Sequence, residues 1–121
     1  MPKPSLWILV LFAATAGPAW ADGDATHGKV VFGRCAACHS LDAGKNLMGP
    51  SLKGIVGRKS GAVAGYQYSK GMAASGLTWD ESTLDKFLAG PAATVPGTKM
   101  LVGLPNPTDR ADVIAYLKTV D

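Results

Sequence analysis

Residues 35–39 read Cys35-Ala36-Ala37-Cys38-His39, and this C-x-x-C-H spacing is the attachment pattern for c-type haem. Two thiols three positions apart can add to the two vinyl groups on one edge of a porphyrin, and the adjacent histidine then meets the iron from below. Other uses of the motif find less support. A thioredoxin-type redox pair follows a strand in a βαβ pattern, which the flanking sequence lacks. A structural disulfide at this spacing closes too small a loop to gain much from chain entropy. Zinc needs two further ligands, and the only other histidine, His27, lies twelve positions before His39.

The composition around the motif fits one compact domain that lacks something inside. The chain has 121 residues, 47% of them hydrophobic and 17% charged, with 15 Gly, 8 Pro and a formal net charge of +3. Two cysteines are too few for a disulfide-dense scaffold or a four-thiolate metal site, and the apolar fraction is too high for a disordered chain. Residues 6–16 (LWILVLFAATA) form an apolar run behind Lys3. Gly17 and Pro18 end it before Ala19-Trp20-Ala21, an A-x-A cleavage pattern, and it falls short of the roughly 20 residues that span a bilayer. The expectation is a cleaved signal peptide over residues 1–21, a single mature domain over 22–121 and no stable membrane insertion. Loss of Lys3 leaves 11 basic against 9 acidic residues, a mature charge of about +2. With no basic stripe in view, nucleic acid is not an expected partner. The mature aromatics are Phe32, Tyr66, Tyr68, Trp79, Phe87 and Tyr116, few for its length, so a bound haem would supply the missing apolar body.

Helical signals concentrate at the two ends of the mature segment. From 24 to about 36, Ala25, Val31, Phe32 and Cys35 recur at near-helical spacing behind Asp24 as cap, and Gly28 within this stretch lets another helix approach closely. Residues 78–89 predict a helix with a Thr78/Glu81 capping box, a face of Leu84, Phe87 and Leu88, and a stop at Gly90-Pro91. A third helix is expected from about 108 to 120, capped by Thr108 or Asp109, with Val113, Ile114, Leu117 and Val120 as its buried stripe. Short helical turns fit near 51–56 and 69–74. Residues 90–107, with Pro91, Pro96, Pro105 and Pro107, read as a long loop without regular helix, and such loops in small domains are usually functional.

A histidine-bound iron needs a sixth ligand, a water or an open position. Of the four methionines, Met1 leaves with the leader and Met72 suits a filled core position. Chain reach does not exclude Met48. Context favours Met100, which follows Pro96-Gly97-Thr98-Lys99 in the long loop, where it can be held against the opposite haem face.

These pieces together resemble the small class I c-type cytochromes, meaning mitochondrial cytochrome c and its bacterial counterparts, over essentially all of residues 24–120. The matching motifs are Gly28 with Phe32, Cys35-Ala36-Ala37-Cys38-His39, Gly49-Pro50, Gly57-Arg58-Lys59, Gly65-Tyr66-Gln67-Tyr68, Leu77-Thr78-Trp79, Pro96-Gly97-Thr98-Lys99-Met100 and Ile114-Ala115-Tyr116-Leu117. The resemblance implies an all-α class I cytochrome c fold: three main helices, short helical turns and long loops around one covalently bound haem c. It also implies thioethers at Cys35 and Cys38, axial iron ligands at His39 and Met100, and a Pro50 carbonyl that accepts from the far nitrogen of the ligating ring. Arg58, Tyr68 and Trp79 would meet the haem propionates, and Gly28 and Tyr116 the crossing of the first and last helices. Phe87 and Met72 depart from the mitochondrial pattern, which often has tyrosine and asparagine there; both changes remove a polar group from the pocket.

An iron held on both faces has nowhere to bind substrate, so the expected function is one-electron transport rather than catalysis. Cytochrome bc complexes, terminal oxidases and photosynthetic reaction centres are candidate partners, the periplasm the expected compartment and a monomer the default. Arg34, Lys45, Lys53, Lys59, Lys70 and Lys99 are candidates for a loose basic ring that steers acidic partners. Two alternatives remain open at this point: a gas sensor or peroxidase-like enzyme with a vacant sixth position, and a haem-free exported disulfide module.

Overall fold

The computed structural model describes residues 1–11 and 23–121, so the A-x-A site expected at 19–21 and the end of the apolar run lie outside the described residues. The elements in order are α1 (Ala25–Phe32), α2 (Lys70–Ala73), α3 (Glu81–Ala89), α4 (Pro91–Thr94) and α5 (Pro107–Lys118). Among the described residues the only β pairing is an isolated bridge between Lys59 and Thr78. No described helix is long and apolar enough to cross a membrane. The architecture is the expected all-α one, with three main helices joined by long loops.

The first and last helices cross at Gly28. A Cβ there would lie 1.9 Å from the Asp112 carbonyl oxygen and 2.8 Å from the Tyr116 Cβ, so only glycine lets the backbones meet. Phe32 and Tyr116 pack beside the crossing with ring centroids 5.8 Å apart and planes inclined at 55°. The polar side of the crossing is also satisfied: the Asp24 N–H donates to Asp112 Oδ1 at 2.7 Å, and His27 Nδ1 lies 2.7 Å from Asp112 Oδ2. The expected stripes are buried, with Leu84, Phe87 and Leu88 on α3 and Val113, Ile114 and Leu117 on α5; Val120 is half-buried.

Helix ends differ from expectation in three places. α1 keeps Asp24 as its cap but stops at Phe32, because Gly33, Arg34 and Cys35 donate to carbonyls three residues back and tighten the chain into turns that run on to Cys38. Asp80 caps α3 in place of Thr78: its Oδ1 accepts from the Thr83 N–H at 2.8 Å, while Thr78 is held in the bridge to Lys59. That bonding to Thr83, first through its side chain and then its N–H, holds the Asp80 carboxyl below its usual range. α5 begins one residue early because Pro107 at the first helical position loses no hydrogen bond, and Asn106 accepts from the N–H groups of Thr108 and Asp109. Within 90–107 the chain still forms one short helix, α4, again opened by a proline. Residues 51–56 make hydrogen-bonded turns without an α-helix, and Ser69 caps α2.

Candidate functional site

A cavity of about 500 Å³ opens between the turns after α1, the loop at 46–52, α3 and the strap before α5. Cys35, Cys38, His39 and Met100 all line it, so the structure brings the four expected site residues to one space. Cys35 and Cys38 are unpaired and half-buried. Burial pushes the Cys35 thiol above its ordinary value, against the pull of the neighbouring Arg34 charge.

His39 is oriented by its backbone surroundings. Its Nδ1 lies 2.8 Å from the Pro50 carbonyl oxygen. That oxygen can only accept, so Nδ1 carries a proton, and in the neutral ring it is Nε2 that holds the lone pair. The ring packs face-on against Gly49, where a Cβ would come within 2.2 Å of Cε1. The Gly49 N–H donates to the Cys38 carbonyl at 2.7 Å and the Leu52 N–H to the Ser40 carbonyl at 2.9 Å, which straps the 46–52 loop beneath the cysteine pair.

The opposite wall is the strap carrying Met100. Its N–H donates to Thr98 Oγ1 at 3.2 Å, and Lys99 Nζ reaches across to donate to the Gln67 carbonyl at 2.7 Å, with the Tyr66 ring centroid 5.8 Å away. Met72 and Met48 also border the cavity. Met72 packs on the core as expected, its sulfur 4.0 Å from Ser75 Oγ, whereas Met48 is 80% exposed. Phe87 is buried against Trp79 with centroids 5.0 Å apart, an apolar wall where a tyrosine would place a hydroxyl.

The residues present fit a haem. The cavity wall is predominantly apolar, two thiols and an imidazole with a lone pair on Nε2 share its edge, and one cation there is incompletely satisfied. Arg58 donates through Nη1 to Lys53 O at 3.2 Å and through Nη2 to Ser51 O at 3.0 Å, but its buried Nε has no partner among the described residues. Burial disfavours the charge on this guanidinium, with Tyr68 acting in the opposite sense, so an anionic carboxylate entering the cavity would satisfy both the orphan donor and the charge. Tyr68 and Trp79 line the same cavity, and the Tyr68 hydroxyl accepts from the Val63 N–H at 3.0 Å, leaving its own proton to donate. Sequence reasoning missed two polar residues. Asn46 ties the loop under His39, and Asp112 is buried at the helix crossing; neither stands in a local motif that would have marked it.

Residues 25–121 match the cytochrome c family model. The chain is 59% identical over 90 residues to cytochrome c2 iso-2 of Magnetospirillum fulvum, spanning 74% of this chain and 94% of that relative. Among solved structures it resembles cytochrome cH from Methylobacterium extorquens, with TM-score 0.75 and 48% identity over 80% of this chain and 99% of that one. Cytochrome c2 from Rhodospirillum centenum superposes with TM-score 0.79 at 34% identity, over 82% and 99% of the two chains. An apolar cavity edged by C-x-x-C-H and matched along nearly all of the helical segment leaves one conclusion: the chain belongs to the cytochrome c family, an electron carrier rather than an enzyme, built to hold one covalently attached haem c with its iron.

Proposed function

We propose that Cys35 and Cys38 would carry the thioether links of a haem, that His39 Nε2 and Met100 Sδ would hold its iron, and that the chain ferries single electrons between membrane-bound redox complexes. The observation that carries the ligand set is the His39 Nδ1 to Pro50 carbonyl bond at 2.8 Å, which fixes the tautomer that can ligate and orients the ring in the cavity Met100 shares. When bound, the haem supplies an iron that gains or loses one electron. The chain's own residues do the rest. Leu84, Phe87 and Leu88 exclude water, Arg58 neutralises an acidic edge, and Met100 closes the position where a substrate or gas would bind.

The test is carbon monoxide uptake by the reduced holoprotein. The native protein should bind it slowly or not at all, and Met100→Ala should bind it rapidly. Equal, rapid uptake by both would overturn the ligand assignment and favour the sensor-like reading.

The mature domain is residues 22–121, exported to the periplasm by a leader at 1–21 whose apolar side chains from Leu6 to Leu11 are exposed. N-terminal sequencing of exported protein should begin at Asp22; retention of Leu6 and Trp7 would refute it. Arg34, Lys45, Lys53, Lys59, Lys70 and Lys99 are exposed, and Arg34 and Lys99 stand at the cavity itself, although Arg34 is paired with Asp109 at 3.1 Å. They steer acidic faces of a cytochrome bc complex, a terminal oxidase or a reaction centre. Association rates should therefore fall as salt rises, and a rate indifferent to ionic strength removes steering.

A further inference from the structure

Pro50 C=O and Ser51 N–H belong to one peptide group, and both of its ends are engaged. The oxygen accepts from His39 Nδ1 at 2.8 Å, and the N–H donates to Asn46 Oδ1 at 3.0 Å. The orientation of the Asn46 amide is fixed by its other partner: Nδ2 donates to the Ala64 carbonyl at 3.2 Å, so a flipped amide would set donor against donor and acceptor against acceptor. Ser51 is itself clamped, its Oγ donating to the Asp42 carbonyl at 2.7 Å and its own carbonyl accepting from Arg58 at 3.0 Å. It is also buried at 3% exposure, so water does not compete for its N–H.

We infer that Asn46 is a positioning residue for electron transfer, acting on His39 through the Pro50–Ser51 peptide. This rests on the reading that His39 ligates the iron. An acceptor on a peptide N–H polarises the amide and raises the electron density on its carbonyl oxygen, strengthening the next hydrogen bond in the chain by about 10–30%. A stronger acceptor at Pro50 draws the Nδ1 proton, gives the ring more imidazolate character and makes Nε2 a better donor, which favours the oxidised iron. Asn46 thereby lowers the midpoint potential while also fixing the plane of the ring. The same side chain bridges the 46–52 loop to the 61–66 loop, so the potential is tied to how those loops are held.

The test compares Asn46→Ala with Asn46→Asp in the haem-loaded protein. Both lose the donation to Ala64, but the carboxylate keeps and strengthens the acceptor facing Ser51. The inference expects opposite shifts. Asn46→Ala raises the midpoint by a roughly threefold change in the reduction equilibrium, ~28 mV at about 59 mV per tenfold for one electron, and Asn46→Asp lowers it. Proton NMR of the reduced protein reads the relay separately from the carboxylate's charge: the His39 Nδ1–H resonance moves upfield in Asn46→Ala and downfield in Asn46→Asp. Potentials that shift in the same direction, or an Nδ1–H resonance unmoved in both variants, overturn the inference and leave Asn46 a loop tether. Should native His39 ring protons lack the hyperfine shifts of an iron-bound imidazole in the oxidised protein, the ligand reading itself fails, whatever the variants show.

Discussion

On the His39 side of the cavity the chain folds back on itself through bonds between distant backbone groups: Gly49 to Cys38, Leu52 to Ser40, and Gly54 to Val120 at 2.8 Å. On the Met100 side the ties are mostly local, Thr98 to Val95 at 3.1 Å and Met100 to Thr98 at 3.2 Å. Beyond the Lys99 contact to Gln67, the bonds that reach elsewhere sit at the strap's two ends, Thr94 Oγ1 to the Lys86 carbonyl at 3.1 Å, the Leu104 N–H to Leu88 at 2.7 Å and Arg110 Nη1 to the Leu104 carbonyl at 3.0 Å, while Leu101 and Val102 are each 76% exposed. Local stability follows the density of buried contacts and protected hydrogen bonds. One ligand is therefore set in a rigid cradle and the other on a strap that can lift, so departures from two-sided ligation should begin at Met100.

The largest effect belongs to the cradle. In Gly49→Ala the new Cβ would lie 2.2 Å from His39 Cε1, and either the ring or the strapped loop must move. We expect a loss of about 3 kcal/mol, the upper range of overpacking costs, together with a lower yield of haem-loaded protein. Denaturant unfolding of the holoprotein measures it, and a loss below about 0.5 kcal/mol would mean that the cradle yields as easily as the strap.

A smaller effect is expected from Lys99→Ala, which removes the strap's contact to Gln67 and the ammonium near the Tyr66 ring. The site is exposed, so about 1 kcal/mol is at stake, equivalent to about a fivefold rise in the population with Met100 detached. Imidazole affinity of the oxidised protein should rise by that factor while the global unfolding midpoint barely moves. Were the midpoint to fall and imidazole binding to stay the same, the strap would be part of the global unit.

This division between cradle and strap also marks what the sequence could reveal. Cys35, Cys38 and His39 were legible because a covalent chemistry dictates their spacing, and α3 and α5 because apolar periodicity and turn residues agree. The cap of α3 was not, since Thr78 with Glu81 has the capping-box spacing that Asp80 with Thr83 lacks, and the tertiary bridge to Lys59 holds Thr78 away from the helix start. For α5 the signal was present: Asn106 followed by Pro107 is a cap and a first helical residue. Asn46 and Asp112 were illegible for another reason. Each is a polar residue whose role depends on partners brought close by folding, the Ser51 N–H in one case and the N-terminus of α1 in the other.

Asp112 supplies the pH test of the same contrast. Its carboxyl lies below the usual carboxylate range, chiefly because the Asp24 N–H donates to it and next because of its bond with His27, with burial opposing both. A group whose value is depressed by folding adds stability above its unfolded value of about 3.9, and that stability is lost as pH falls through the lower folded value. Asp112 anchors the start of α1, which leads into the cysteine turns, whereas residues 91–104 of the strap contain no Asp or Glu. Below about pH 4 the cradle side should therefore loosen first, reversing the order expected at neutral pH. Thermal unfolding of the holoprotein from neutral to acid should show a flatter acid limb in Asp112→Asn than in the native chain, the two curves converging at low pH. Hydrogen exchange should place the acid-induced opening at the α1 amides rather than at Met100 and its neighbours. A variant that keeps the native acid slope would show that the helix crossing is held by Gly28 and the Phe32–Tyr116 contact, with the buried carboxylate contributing nothing that protonation can remove.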